Sequence, residues 1–104
     1  MILYNVTINI DTAVETEWLA WMTREHVPEV MATGLPVASK AMRLLTELDN
    51  GGATYAFQYS FRNMDDYLTY QNEHAPALQA KVAERYKDKF VAFRSLLEEL
   101  EVKR

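Results

Sequence analysis

The sequence has no cysteine, only three glycines and three prolines among its 104 residues, and no long apolar run. The missing cysteine excludes disulfides, a thiolate nucleophile and cysteine-based zinc or iron–sulfur sites. So little glycine and proline argues against linkers and disordered tails. No segment approaches the roughly 20 apolar residues that span a bilayer, and the first residues lack the basic start of a signal peptide. We therefore expect a cytoplasmic protein with no membrane partner.

Basic charge is also scarce, because 15 acidic residues outnumber 11 Lys and Arg and leave a net charge of -4. Such a chain offers no positive field for phosphate backbones, so nucleic acid is not an expected partner. With 49% hydrophobic and 25% charged residues, the composition is that of an ordinary globular protein. The length predicts one domain over residues 1–104.

Four segments have the composition and patterning of β-strands. Alternation of apolar and polar residues predicts a half-buried strand over Ile2–Ile10 and another over Ala53–Phe61. Val37–Leu48 and Phe90–Leu97 are predicted as the two remaining strands, with less regular alternation. Asp49–Gly52 supplies residues that favour positive φ, which predicts a tight hairpin turn between the second and third strands.

Two helical segments separate these strands. Thr12–Glu15 matches a capping box at the start of the first, while Pro28 predicts a kink or restart before an end near Gly34. Asn63 is the predicted cap of the second, which Pro76 interrupts. The order β-α-β-β-α-β predicts an α+β ferredoxin-like fold with a four-stranded antiparallel sheet and both helices on one face.

The two helical segments share an internal repeat, since Glu25–Val30 and Glu73–Leu78 both contain Glu-His-x-Pro and hold the two histidines of the chain. His26 and His74 are candidates for proton transfer, because imidazole titrates near neutral pH. Alternatively, each ring nitrogen bonds a backbone carbonyl left free by the proline. The spacing that puts two imidazoles on one helical face is absent, so we predict no metal site.

The sheet face opposite the helices is predicted to carry uncharged polar groups and two guanidiniums, a combination suited to a small polar or anionic ligand. An alternative is that this face contacts water or a sister sheet, with the arginines paired to acids such as Glu47. The predicted ligand-binding residues are Asn5, Thr7, Asn9, Arg43, Gln58, Ser60 and Arg94.

The chain resembles the dimeric α/β-barrel superfamily over its whole length, and within it a small bacterial family of unknown function. The resemblance is carried by Ile2–Thr7, by Trp18–Pro28 with its Trp and His-x-Pro, and by Phe90–Arg94. It implies a homodimer in which two sheets face each other to close a barrel. Members of the superfamily include cofactor-free monooxygenases, haem-degrading enzymes and mutarotases, so their chemistry does not carry over. No haem motif matches residue by residue, and we assign no cofactor.

Three functions are therefore compatible with the sequence. The first is a homodimeric small-molecule-binding protein with a polar pocket inside the barrel. The second is a cofactor-independent enzyme, monooxygenase-like or isomerase-like, that uses His26 as general acid or base with help from Glu25 or Tyr59. The third is a structural or protein-interaction module.

Overall fold

The computed structural model describes residues 1–46 and 51–103, and within them four strands and four helices follow the predicted order. The strands are β1 (Ile2–Asp11), β2 (Pro36–Arg43), β3 (Gly52–Phe61) and β4 (Phe90–Glu98). The helices are α1 (Glu15–Trp21), α2 (Val27–Ala32), α3 (Met64–Glu73) and α4 (Ala75–Arg85). A short 3₁₀ turn (Thr12–Val14) precedes α1, and a π-helical turn (Met22–His26) joins α1 to α2.

The four strands form one antiparallel sheet in the order β2-β3-β1-β4. This arrangement confirms the ferredoxin-like fold. Residues that lie opposite each other in an antiparallel pair share a face, so the register sorts every strand residue. Val6, for example, lies between Phe57 of β3 and Arg94 of β4.

The helices cover the face on which β1 carries Tyr4, Ile8 and Ile10. These side chains are buried, and so are the alternating aromatic residues of β3 from Tyr55 to Phe61. The alternation predicted for both strands is therefore confirmed. From the helices, the buried residues are Trp18, Met22, Val30, Tyr70, Ala75 and Val82.

Aromatic rings fill much of the layer between helices and sheet. Trp18 is fully buried and meets Tyr55 and Phe57 edge to face, with ring centroids 5.2 and 5.7 Å apart. At the other end of the sheet, Tyr4 packs 5.4 Å from Tyr67 of α3. Such pairs stabilise a core beyond the area that they bury, so the rings fix the helices at both ends of the sheet.

Several local predictions are corrected. Asp11, rather than Thr12, caps the first helical segment by accepting a 2.8 Å hydrogen bond from the Ala13 amide. Glu15 does not close a capping box, because its carboxylate accepts a 2.5 Å hydrogen bond from Tyr55. The second strand ends at Arg43 instead of continuing to residue 48, and residues 47–50 of its predicted end and turn lie outside the described residues.

The predictions for the helix ends agree better with the structure. The Asn63 side chain accepts a 2.8 Å hydrogen bond from the Asp66 amide and so caps α3. Gly34 has φ 78° just after the segment that Pro28 interrupts, as a helix end favours. Pro76 lies in the first turn of α4, where its missing amide hydrogen costs no helical bond.

Candidate functional site

A partly open cavity of about 290 Å³ lies between the sheet and the helices. Its floor is formed by β1, β3 and β4, and its cover by α3, α4 and the π-helical turn. The apolar residues that line it are Val6, Ile8, Met22, Phe57, Val82, Ala83, Phe90 and Ala92. The pocket predicted on the opposite, open face of the sheet stays a prediction, and this cavity lies on the other side of the sheet.

Six polar side chains complete the cavity lining: Tyr4, His26, Tyr59, Tyr70, Gln79 and Arg94. None of the lining residues that the structure describes is acidic. Arg94 is exposed at the rim, whereas the three tyrosines are buried. The cavity therefore combines a mostly apolar wall with several hydrogen-bond donors and one permanent positive charge, which is the usual make-up of a ligand site.

The Tyr59 hydroxyl is buried and has no hydrogen-bond partner within the part of the chain that the structure describes. A buried polar group without a partner costs about 1–3 kcal/mol. Burial raises the pKa of Tyr59, with neighbouring Tyr70 and Tyr4 adding to the shift. A molecule held in the cavity that Tyr59 lines could supply the missing acceptor.

The other two tyrosines are also kept protonated. Burial raises the pKa of Tyr70 to about 12, and it raises the pKa of Tyr4 as well. For Tyr4 the charge of Arg94 and hydrogen bonding with Arg94 and Gln79 partly oppose that shift. All three phenols can thus donate hydrogen bonds near neutral pH.

His26 is the titratable base of the cavity. Its ring stacks on Trp21 at a centroid distance of 5.8 Å. Burial lowers the pKa of His26 from its ordinary 6.5, and Lys81 adds to this effect while Glu29 opposes it. A ring with a lowered pKa is neutral at pH 7, so it can accept a proton.

The π-helical turn explains how His26 is held in this position. The Val27 amide donates to the Met22 carbonyl five residues earlier, although φ and ψ of Val27 remain helical. Pro28 lacks an amide hydrogen, and its ring would collide with the carbonyl four residues before it, which a widened turn relieves. The break that the sequence predicts at Pro28 is therefore absorbed without leaving the helical conformation.

The second copy of the repeat is built differently. His74 has φ -120° and ψ -41° and separates α3 from α4 outright. Its ring stacks on Tyr70 at 6.5 Å, and it is not among the residues that line the cavity. Neither His26 nor His74 makes a side-chain hydrogen bond in the described parts of the chain, so the predicted ring-to-carbonyl bonds are absent.

Five predicted ligand-binding residues do lie on the open face, namely Asn5, Thr7, Asn9, Gln58 and Ser60. Three of them hydrogen-bond one another, since Gln58 donates to Asn5 at 3.1 Å and Asn5 donates to Thr7 at 3.0 Å. Asn9 donates to neighbouring Thr54 at 3.0 Å. Their hydrogen-bonding capacity is thus largely used within the sheet.

Arg43 and Arg94 were predicted on the open face, and both lie on the helix-covered face instead. Arg94 is opposite Val6, and Arg43 is opposite Tyr55, over whose ring its guanidinium sits at 5.3 Å. The cavity therefore brings together His26 and Arg94, while Arg43 packs at a separate groove beside α1. The ligand-binding role of these residues stays a prediction.

Sequence reasoning missed Tyr4, Tyr70 and Gln79, and it noted Tyr59 only as a possible helper of His26. The alternating aromatics were assigned to the core, where indeed they lie. The tyrosine hydroxyl groups were the feature that could have indicated a site. Several buried phenols in one layer require hydrogen-bond partners that an apolar core lacks.

The described residues contain neither a metal-ligand cluster nor a membrane-spanning helix. No group of three or more His, Asp or Glu side chains there is arranged to hold a metal ion. No helix in residues 1–46 and 51–103 is both long enough and apolar enough to cross a membrane.

Comparison with known proteins places the chain in a family. Residues 1–100 match the profile described as a domain of unknown function, DUF4286. The chain belongs to the DUF4286 family. None of the curated proteins matches it.

Solved structures share its fold. HapK from Hahella chejuensis has a TM-score of 0.71 at 10% identity and covers 100% of this chain and 97% of its own. SnoaB from Streptomyces nogalater, a cofactor-independent oxygenase, has a TM-score of 0.66 at 11% identity. The match covers 97% of this chain and 95% of SnoaB. A dimeric ferredoxin-like protein from an uncultured marine organism has a TM-score of 0.67 at 12% identity, and the match covers 100% of both chains. At such identities the likeness of this DUF4286 member to them establishes the fold alone.

The state of His26 can be tested by titration. We expect its imidazole signals in NMR spectra to titrate with a midpoint below 6.5, because burial disfavours the charged ring. The unfolded state then binds more protons than the folded state just below pH 6.5, so the free energy of unfolding should fall on acidification through that window.

His26→Gln should remove the imidazole signal that titrates below pH 6.5. It should also remove the His26 contribution to the fall in the free energy of unfolding on acidification. His74→Gln is the matched control that assigns the two rings. A midpoint for His26 at or above 6.5 would contradict the partly buried, neutral ring.

Proposed function

We propose that this DUF4286 protein binds a small organic molecule in the cavity between its helices and its sheet. The observation that carries the proposal is the buried Tyr59 hydroxyl, which has no partner among the described residues and lies in the wall of a 290 Å³ cavity. Ligand sites in proteins have volumes of about 300–1,000 Å³, so the cavity suits a molecule with roughly one ring. Its mixed lining would surround such a molecule with apolar contacts and orient it by a few donors.

A cavity-filling substitution tests this binding role. Ala92 of β4 lines the cavity opposite Ile8, and Ala92→Leu should fill part of the space. We expect single-ring aromatic fragments to give saturation-transfer NMR signals with the native protein and weaker signals with this variant. Ala80→Leu, on the exposed side of α4, is the matched control and should leave the signals unchanged. Equal binding by all three proteins would place any ligand outside the cavity.

The proposal includes assembly as a homodimer through the open face of the sheet. Around its polar network this face exposes Phe93 by 63%, Val91 by 73% and Leu97 by 49%. A contiguous apolar surface on a sheet face favours burial against another subunit. The marine structural neighbour described above is itself called dimeric.

A charge on that face should disrupt the dimer. Phe93→Glu would place a carboxylate in each of two facing sheets, so we expect the dimer mass from light scattering to fall to the monomer mass. Leu68→Glu adds the same charge on α3, where Leu68 is 44% exposed, and should leave the dimer intact. A native protein that is monomeric at tens of micromolar would refute the assembly.

A second candidate function is cofactor-independent proton abstraction from carbon. It is favoured by the neutral His26 ring in the same cavity as Arg94 and three protonated tyrosines. His26 would take the proton of a C–H bond next to a carbonyl, and the electron pair of that bond would move to the carbonyl oxygen. Cationic and phenolic donors stabilise such an oxyanion. Tyr59 lines this cavity, whereas Glu25 lies at a separate surface groove, so only Tyr59 remains a possible helper.

Deuterium exchange tests this second candidate. Phenylpyruvate in D₂O should lose its benzylic proton signal faster with the native protein than without it. His26→Ala should reduce the catalysed rate by about 100-fold, a usual contribution of a general base. His74→Ala is the control from the second repeat and should keep the native rate. If His26→Ala exchanges as fast as the native protein, His26 is not the base.

A further inference from the structure

We infer that the ligand of the cavity is a small planar monocarboxylate, held with its carboxylate beside Arg94 and Tyr4 and its apolar body toward Ile8 and Ala92. This inference rests on the proposed binding function and adds the chemical class and the orientation of the ligand. It is carried by the distribution of charge and polarity over the cavity floor.

The described lining of the cavity contains a positive charge and no negative charge. Arg94 is the only lining residue of the described chain with a permanent charge, and no carboxylate lies within 4 Å of its guanidinium in that part of the protein. The two ion pairs that the structure records join Lys81 to Glu29 and Arg85 to Glu17 on the outer surface of the helices. In a chain with net charge -4, a guanidinium left beside a cavity without an acid is a site for an anion.

The donors that accompany Arg94 are suited to the same anion. Tyr4 interacts with both Arg94 and Gln79, and the rings of Tyr59 and Tyr70 lie 6.3 Å from that of Tyr4. Neutral phenols donate hydrogen bonds to a carboxylate without competing for its charge. A cationic or strongly hydrogen-donating ligand would find no complementary acid in this lining.

The register of the strands gives the floor of the cavity a polar end and an apolar end. Tyr4 pairs with Tyr59, and the next pair on the same face joins Val6 to Arg94. Two residues further along β1, Ile8 pairs with Ala92, and Ile10 then pairs with Phe90. Because same-face positions repeat every two residues, about 6.8 Å, the polar groups lie one ring length from the apolar end.

The apolar end of the cavity favours a ligand with a planar apolar part. Phe57 and Phe90 line the cavity, and the small side chain of Ala92 lies opposite Ile8, at the position between those of Val6 and Ile10 to which Phe57 and Phe90 pair. An arginine fork holds a carboxylate in its own plane through paired hydrogen bonds, which also favours a ligand whose carboxylate and body are coplanar.

Two pairs of nearly isosteric probes test the inference: benzoate against benzamide, and cinnamate against cinnamide. At low salt we expect each carboxylate to bind the native protein about tenfold more tightly than its amide, as judged by NMR shift titration. Arg94→Met should abolish this preference by weakening carboxylate binding, because it keeps an unbranched apolar side chain and removes the charge. Arg85→Met, which removes an outer-surface guanidinium, should preserve the preference. Thermal unfolding would verify that both variants fold.

The outcomes separate this inference from the binding function. If amides bind as tightly as carboxylates, or if Arg94→Met keeps the preference, the anion assignment is overturned although the cavity still binds ligands. If none of the four probes binds while neutral fragments still respond to Ala92→Leu, the anion assignment alone also fails. If no fragment or probe responds to Ala92→Leu, the binding function fails with it.

Discussion

The packing of large aromatic rings between the helices and the sheet is the constraint on which the rest of the structure depends. Trp18 closes the layer at one end through edge-to-face contacts with Tyr55 and Phe57. At the other end Tyr70 packs 5.6 Å from Phe61, and Tyr4 packs against α3. Rigid rings cannot collapse around a gap as flexible aliphatic chains can. Between the two contact regions lies the cavity, to whose lining the rings of Tyr4, Phe57 and Tyr70 contribute.

This packing also determines the protonation states in the cavity. Burial disfavours charge and is the largest cause of the raised pKa values of Tyr4, Tyr59 and Tyr70 and of the lowered pKa of His26. The same low polarity that keeps these groups neutral strengthens the field of Arg94 at the rim. One permanent charge among neutral donors gives the cavity a polar end, and both the anion assignment and the proton-abstraction proposal depend on that charge.

The sequence was sufficient for the fold because the two central strands alternate cleanly. β1 and β3 pair with each other and have one buried face, so each position in them has a consistent polarity. The edge strands were harder. In β4 the helix-covered positions include Arg94 while the open positions include Phe93, which reverses the expected polarity. β2 contains a register shift between Pro36 and Ala38, so counting along the sequence misplaces Arg43.

The cavity could not be predicted for a related reason. A tyrosine on a buried face reads as a core residue, and only the three-dimensional packing reveals that the Tyr59 hydroxyl lacks a partner. Likewise, Pro28 and Pro76 are equivalent in sequence but not in effect. The first is absorbed by a π-helical turn that holds His26 at the cavity, and the second by a break at His74. Fold symmetry thus explains why the Glu-His-x-Pro segment occurs twice, whereas helix geometry places one of the two rings in the cavity lining.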